Sequence, residues 1–471
     1  MPRIRLVTAA LGLGLAGCSL APEYHVPAMT TPIAFKETGP WTPARPADAA
    51  PRGAWWASYG DPTLNGLEER IENGNPDLAG ALSRYDEAQA YVAQQRAALV
   101  PTVALNGHAT RNQQSAHRPL RVGGPDYYND NLIGGSISYE FDLWGRVRNE
   151  VAAGKALAEA SAADVAATRL SLAAMLADAY LNLRGQDAQA KLLADTTQAY
   201  AHALKLTQSQ HAGGAVSGLA VDRAETQLQT AKAQQADVAA QRALYEHEIA
   251  SLVGISASGF SIPPEADLPE PPHVPVAAPS LLLQRRPDIA AAERRAAAAN
   301  AGIGVARAAF FPSITLDASG GFETAGGGVN LLDGANTLWT LGPALALTVL
   351  DGGKRKAAVR AARDRFDEAG ATYRATVLAA FQEVEDNLAL NNDLAKEAEA
   401  EAGAVDAARR AEALALTQYR LGAVTYLDVV TAQTTNLEAE RSALAIATRR
   451  LRASVDLVRA LGGGWTAPAA G

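Results

Sequence analysis

Ser313-Ile314-Thr315-Leu316-Asp317-Ala318-Ser319 alternates polar and apolar side chains, residue by residue. A strand sends successive side chains to opposite faces, so this spacing predicts one wet face and one apolar face. Thr102-Val103-Ala104-Leu105-Asn106 repeats the pattern. In two further segments Ile133, Ile137, Tyr139 and Phe141 share a face, as do Leu341, Leu345, Leu347 and Val349. Alternation over about ten residues fits a barrel wall with lipid outside and water inside, although a half-buried soluble sheet reads the same segment by segment. Four strands cannot close a barrel, and an open edge in hydrocarbon strands its backbone groups without partners. If these strands lie in a membrane, several chains share one barrel.

Outward from the strands, the chain is written twice. Asn75-Pro76-Asp77-Leu78 corresponds to Arg286-Pro287-Asp288-Ile289, and Leu99-Val100-Pro101-Thr102-Val103 to Phe310-Phe311-Pro312-Ser313-Ile314, both at an offset of 211. Gly214-Ala215-Val216-Ser217 matches Gly422-Ala423-Val424-Thr425, and Leu219 matches Leu427, at an offset of 208. Each half predicts the same order. A helix starts at the Pro-Asp site, where proline suits the first helical position and aspartate the N-terminal dipole. Two strands come next, then a long helix at 146–211 or 354–421, a glycine turn, and a last helix at 217–253 or 425–461. The stretch 27–51 is Pro-rich and poorly patterned, and Pro263-Pro264 through Pro279 reads as an extended linker.

No proline interrupts the chain between Pro125 and Pro263 or between Pro343 and Pro468, and good helix formers dominate both stretches. A helix of about 65 residues is roughly 100 Å long, some three bilayer thicknesses. It carries too many charges for lipid, so it projects through water. Without the strands and an N-terminal lipobox, a pair of coiled-coil hairpins acting as a cytoplasmic spacer would account for the helices equally well.

The N-terminus adds a membrane signal. Arg3 and Arg5 precede an apolar run from Leu6 to Leu15 that is too short to span a bilayer. Leu15-Ala16-Gly17-Cys18 looks like a bacterial lipobox, which implies cleavage before Cys18 and acylation of the new terminus. Cys18 is the only cysteine among 471 residues, so it has no disulfide partner within the chain. Ser19 comes next, where an aspartate would resemble an inner-membrane retention signal. Gly12, Gly14 and Gly17 match a dinucleotide fingerprint, but no strand precedes them and the segment is removed with the signal.

Composition and motifs exclude other classes. The formal net charge of -8 and isolated doublets such as Arg285-Arg286 and Arg449-Arg450 build no basic stripe for nucleic acid. His247-Glu248 begins like a zinc-protease motif, but Ser251 stands at the second histidine position. Gly352-Gly353-Lys354 lacks P-loop spacing and matches Trp144-Gly145-Arg146 of the first half, a strand-to-helix turn. No GxSxG elbow occurs. No enzyme, metal or cofactor is expected, other than covalent lipid.

The chain resembles the TolC-like outer-membrane efflux proteins, and within them the lipoprotein branch that serves RND-type systems. The resemblance covers 18–465. Its marks are Cys18-Ser19-Leu20-Ala21-Pro22 with Tyr24, Trp55-Trp56, Asp61-Pro62 with Leu64, and Arg285-Arg286-Pro287-Asp288-Ile289. Tyr419 with Gly422, Tyr426-Leu427-Asp428-Val429 and Leu461-Gly462-Gly463-Gly464-Trp465 complete them. The resemblance implies an α+β chain of two structural repeats, assembled as a homotrimer. Long helical hairpins would form a periplasmic α-barrel, and four strands per chain a shared transmembrane β-barrel of twelve strands. Expected segments are a signal peptide at 1–17, an acylated and equatorial region at 18–74, a first repeat at 75–254, an equatorial linker at 255–284, a second repeat at 285–461 and a tail at 462–471. The chain would be the passive exit duct of a tripartite system, anchored in the outer membrane by N-acyl and S-diacylglycerol groups on Cys18. Its partners would be an inner-membrane RND-type pump and a periplasmic membrane-fusion adaptor. A duct for type I secretion or metal efflux shares this architecture, and a lipid-anchored coiled-coil scaffold without a pore stays open from the helices.

Functional residues are expected at the two turns, 211–222 and 419–428, as the periplasmic tip that gates the duct or meets the adaptor. Gly214 and Gly422 suit positions needing positive φ. Thr425 and Asp428 fit a capping box, with an added role for Asp428 in closure or docking left open. The resemblance implies that tyrosine, arginine and aspartate near this turn hold the tip closed. Tyr419 and Asp428 match, but Val424 stands where some members place arginine and Thr431 where some place aspartate. In the first half Ala220 occupies the position of Asp428, with Asp222 close by.

Overall fold

The computed structural model describes residues 19–30, 32, 34–37, 53–115, 117, 126–272, 274, 286–326 and 330–463. The signal region, Cys18, Arg285, Trp465 and parts of the linker therefore lie outside the described residues. Among those described, the order is α1 (Pro62–Gly74), α2 (Pro76–Ala97), β1 (Thr102–Gln113), β2 (Tyr127–Glu140), α3 (Arg146–Ala212) and α4 (Gly218–Leu252). The second half gives α5 (Pro287–Ala308), β3 (Ser313–Thr324), β4 (Thr337–Ala346), α6 (Lys354–Arg420) and α7 (Tyr426–Ala460). Matched helices have equal lengths: 22 residues in α2 and α5, 67 in α3 and α6, and 35 in α4 and α7. The long helices thus run as the proline-free stretches predict. Helix α1 was not read from the sequence as a separate element. Its start is nevertheless the familiar one: the Asp61 carboxylate accepts from the N–H groups of Thr63 and Leu64 at 2.9 and 3.0 Å, and Pro62 opens the helix.

The chain forms two compact units, each drawn from both halves. One takes 1–28, 84–162 and 291–374; the other takes 29–83, 163–290 and 375–471. The first unit holds the sheet, antiparallel throughout and ordered β1-β2-β3-β4. Directly opposed residues share a face, so register sorts the side chains. Val103 faces Ile137, Ile137 faces Ala318 and Ala318 faces Leu341; Tyr139 faces Leu316 on the same side. The other side is wet: Thr102, Ser138, Asp317 and Gly342 form one row. Across it the Ser138 hydroxyl donates to Asp317 Oδ1 at 2.6 Å, and Asn106 Nδ2 donates to Ser136 Oγ at 3.2 Å. Among the described residues nothing covers the apolar face, for Leu105 is 87% and Trp339 79% exposed. Gly134 faces Gly321, and a Cβ on Gly321 would stand 2.4 Å from the Ile133 carbonyl oxygen, so the strands cross there without side chains. At the foot of the sheet Trp144 stacks on Phe311 at 4.6 Å and its Nε1–H donates to the Pro312 carbonyl.

The second unit is a conventional core with charged bolts. Tyr180, Leu176, Leu181, Leu183 and Leu193 are fully enclosed. One stretch of α3 is apolar and long enough to cross a membrane by composition alone, but these buried residues of α3 belong to the core of this unit. Arg184, buried among them, donates to Asp61 Oδ2 at 2.6 Å, to the Tyr180 hydroxyl at 2.8 Å and to the carbonyls of Glu265 and Asp267. Removing one partner of such a buried pair costs about 3–5 kcal/mol, because the other charge is left without compensation.

The repeat also shows in a joint made twice. Asn75 caps α2 through Oδ1, and its Nδ2 donates to the Leu252 carbonyl at the end of α4 at 2.8 Å. Arg286, at the equivalent place, donates to the Ala460 carbonyl at the end of α7 at 3.1 Å. Asp288 and Glu383 hold its guanidinium at 2.7 and 2.6 Å. The Arg-Pro-Asp mark is thus a clamp between the first and last helices of its half.

Glu68 departs from this pairing of buried charges. It is buried, and its Oε1 finds no hydrogen-bond partner among the described residues. Burial pushes its carboxyl up to about 9. The folded chain therefore holds a proton that the unfolded chain gives up near 4.5. Stability from this group is full below that value and falls as pH rises toward 9. Glu68→Gln is expected to raise the thermal midpoint at pH 8 and to leave it nearly unchanged at pH 4. A gain independent of pH in the two melting curves would refute this assignment.

Candidate functional site

The α3–α4 and α6–α7 turns use the same backbone device. Gly214 and Gly422 adopt φ of 75° and 72°. The Ala215 N–H returns to the Gln210 carbonyl at 2.8 Å and the Ala423 N–H to the Gln418 carbonyl at 2.9 Å, closing a Schellman motif on α3 and on α6. An added Cβ would meet nothing within 4 Å at either glycine. Conformation, not crowding, demands glycine there.

Beyond the glycine the turns differ. In the second, the Asp428 carboxylate accepts from the Thr425 N–H at 2.9 Å and from the Thr425 hydroxyl at 2.7 Å, the carboxylate half of a capping box. These bonds, the hydroxyl's first, hold the Asp428 carboxyl below its usual range. In the first turn, Ser217 stands at the N-cap without a side-chain bond to α4. His211 Nδ1–H instead donates to the Val216 carbonyl at 2.8 Å.

Between the turns lies a small apolar cluster of Ala224, Tyr419, Tyr426 and Val429, with Leu204, Ala220 and Val424 packed against it. The rings of Tyr419 and Tyr426 sit 5.4 Å apart, and burial pushes the Tyr426 hydroxyl up to about 12. The Tyr419 hydroxyl donates to Gln210 Oε1 at 2.6 Å, tying the end of α6 to the end of α3. Of the expected residues, Tyr419 therefore reaches the other hairpin. Asp428 stays within its own cap. Asp222 lies exposed on α4, where its carbonyl accepts from the Thr226 hydroxyl. It also lines a groove of about 610 Å³ with Arg223, Leu427, Val430 and Arg441. Val424 and Thr431, the two departures from the expected polar lock, are absorbed locally: Val424 packs on the cluster, and the Thr431 hydroxyl donates to the Leu427 carbonyl of its own helix. Gln210 was missed from the sequence, and Tyr426 was noted only as a family mark. The offset of 208 pairs Gln210 with Gln418 and His211 with Tyr419. Among the described residues, no group of three or more His, Cys, Asp or Glu side chains is placed to hold a metal ion. Cys18 lies outside the described residues.

The model of the family "Outer membrane efflux protein" matches residues 67–255 and 278–463. The probable efflux pump outer membrane protein TtgC of Pseudomonas putida is 32% identical over 99% of this chain and 96% of its own length. The outer membrane protein OprJ of Pseudomonas aeruginosa is 33% identical over 98% of this chain and 96% of its own length. The open-state MtrE outer membrane channel of Neisseria gonorrhoeae superposes with a TM-score of 0.84 at 29% identity, covering 95% of this chain and 98% of that one. The family is made of channels, not enzymes. With its duplicated helical hairpins and its four-stranded sheet, this chain belongs to the outer membrane efflux protein family.

Proposed function

We propose that the chain works as a homotrimer whose twelve strands close one outer-membrane barrel, serving as the passive exit duct of a tripartite efflux system. An inner-membrane RND-type pump would drive cargo, and a periplasmic membrane-fusion adaptor would join pump to duct. Membership of the family makes the chain an outer-membrane efflux channel. The observation that carries the finer reading is the sheet. Among the described residues it has one bare apolar face and one polar face, and β1 and β4 each pair on one side only. Copies of the same chain supply matching edges, and closed oligomers are the usual solution for such an interface. Purified protein is expected to run as a heat-resistant trimer and to conduct in planar bilayers. Monomers without conductance would leave only a scaffold.

Cys18 would carry N-acyl and S-diacylglycerol groups. One acyl chain gives marginal membrane binding and several give a firm anchor, yet a shared barrel is a far stronger hold. A Cys18→Ser protein exported with an ordinary cleavable signal is therefore expected to form channels. Complete failure to insert would contradict this.

The turns would form the tip, with Gly214, Asp222, Gly422 and Thr425 at its surface toward the adaptor. Tyr419 would help hold it closed through Gln210, and Asp428 by fixing the start of α7. Tyr419→Phe and Asp428→Ala are expected to raise closed-state leakage in single-channel recordings. Unchanged leakage in both would remove the gating role. Because the Asp428 carboxyl is depressed, the contribution of its cap is complete above the ordinary value of 3.8 and is lost as pH falls through the depressed one.

A further inference from the structure

Residues 20–24 run along one stripe of α5 in the opposite direction, and they and α5 from residue 291 onward belong to the first compact unit. The Leu20 carbonyl accepts from Arg307 Nη1 at 3.1 Å, and the Pro22 carbonyl from Asn300 Nδ2 at 2.9 Å. The Tyr24 hydroxyl donates to Glu293 Oε1 at 2.7 Å. Between these bonds Ala21 presses on Gly304: a Cβ there would stand 2.8 Å from both the nitrogen and the Cβ of Ala21. Positions 293, 300, 304 and 307 share a helical face. The Ser19 hydroxyl then donates to Asn149 Oδ1 at 2.9 Å, near the start of α3. Asn149 is buried, and its Nδ2 has no partner among the described residues. It is a donor left over on the side chain that holds Ser19, the residue after Cys18 in the sequence.

The repeat provides an internal control. At the offset of 211, Leu82, Gln89 and Ala93 of α2 replace Glu293, Asn300 and Gly304, and only Arg96 matches Arg307. The chain has one N-terminus, and one of its two equivalent helices is cut to receive it. A second observation marks where that seat leads. Phe141, Phe310 and Phe311 are exposed at the foot of the sheet, where Phe311 stacks on Trp144. Aromatic residues at such a border mark the membrane–water interface of a barrel. Asn149 lies in the first turn of α3, about 4.5 Å of helical rise beyond Arg146.

We propose that this stripe of α5, together with Asn149, is a seat for the N-terminal segment that fixes the level at which the acylated terminus meets the membrane. The seat places the anchor at the aromatic border whether or not lipid is attached; the lipid enters the bilayer from a position the protein has already chosen. The proposal rests on the shared barrel and the acylated terminus of the proposed function.

Exported with an ordinary cleavable signal, the chain keeps Cys18 as its sole, unacylated thiol, available for a fluorescent label. In vesicles containing nitroxide-headgroup lipid, the label is expected to be strongly quenched. Gly304→Leu should reduce the quenching several-fold. Asn300→Ala combined with Tyr24→Phe, which leaves the close packing at Gly304 intact, should do the same if the leucine variant does not fold. Weak quenching in protein that conducts, or equal quenching with and without an intact seat, would overturn the seat alone. Absence of conductance from the labelled protein with its seat intact would overturn the barrel and the seat with it.

Discussion

A backbone edge cannot be left unpaired in hydrocarbon. Each stranded N–H or C=O loses water without gaining a partner, at a cost of several kcal/mol. The sheet of this chain meets that constraint in an incomplete form. Register gathers its apolar side chains on one face, and the first and last strands are left with one neighbour each. Neither feature suits an isolated chain in water. Both suit a wall segment, and the wet face, with its serine–aspartate and asparagine–serine bonds, suits a passage that holds water rather than a cargo-shaped pocket.

The helices that flank the sheet are built from one design used twice. The two joints, Asn75 to Leu252 and Arg286 to Ala460, show that duplication preserves contacts as well as helix lengths. Divergence shows at the turns. The second has a carboxylate cap and a tyrosine that reaches across; the first has a histidine folded onto its own loop. The turns are held by packing and by a few hydrogen bonds, which is what the proposed opening of the tip would need.

Much of this was legible because it is local. Proline-free stretches bounded α3, α4, α6 and α7, and alternation sorted the faces of the strands before their register was known. Helix α1 was passed over because its neighbours upstream lack pattern, although Asp61-Pro62 carries the same start signal as Asn75-Pro76. The partners of Tyr419 and Arg184 were not legible. Tyr419 meets Gln210 across 209 positions and Arg184 meets Asp61 across 123, and no spacing rule in one sequence joins residues so far apart. Asp428 was legible as a cap for the opposite reason, since its partner is three residues away.

The joint at Arg286 carries a further consequence. Asn75 is neutral and does its work alone, whereas Arg286 depends on Asp288 and on Glu383 from α6. The halves therefore look like copies but are no longer spare parts. An arginine placed at the first joint would arrive with Asp77 but would find Met175 at the position matching Glu383. An asparagine at the second would strand Glu383 without its cation. Each half has become committed to its own chemistry, so a hybrid chain made by repeating either half would inherit the shape and lose a clamp.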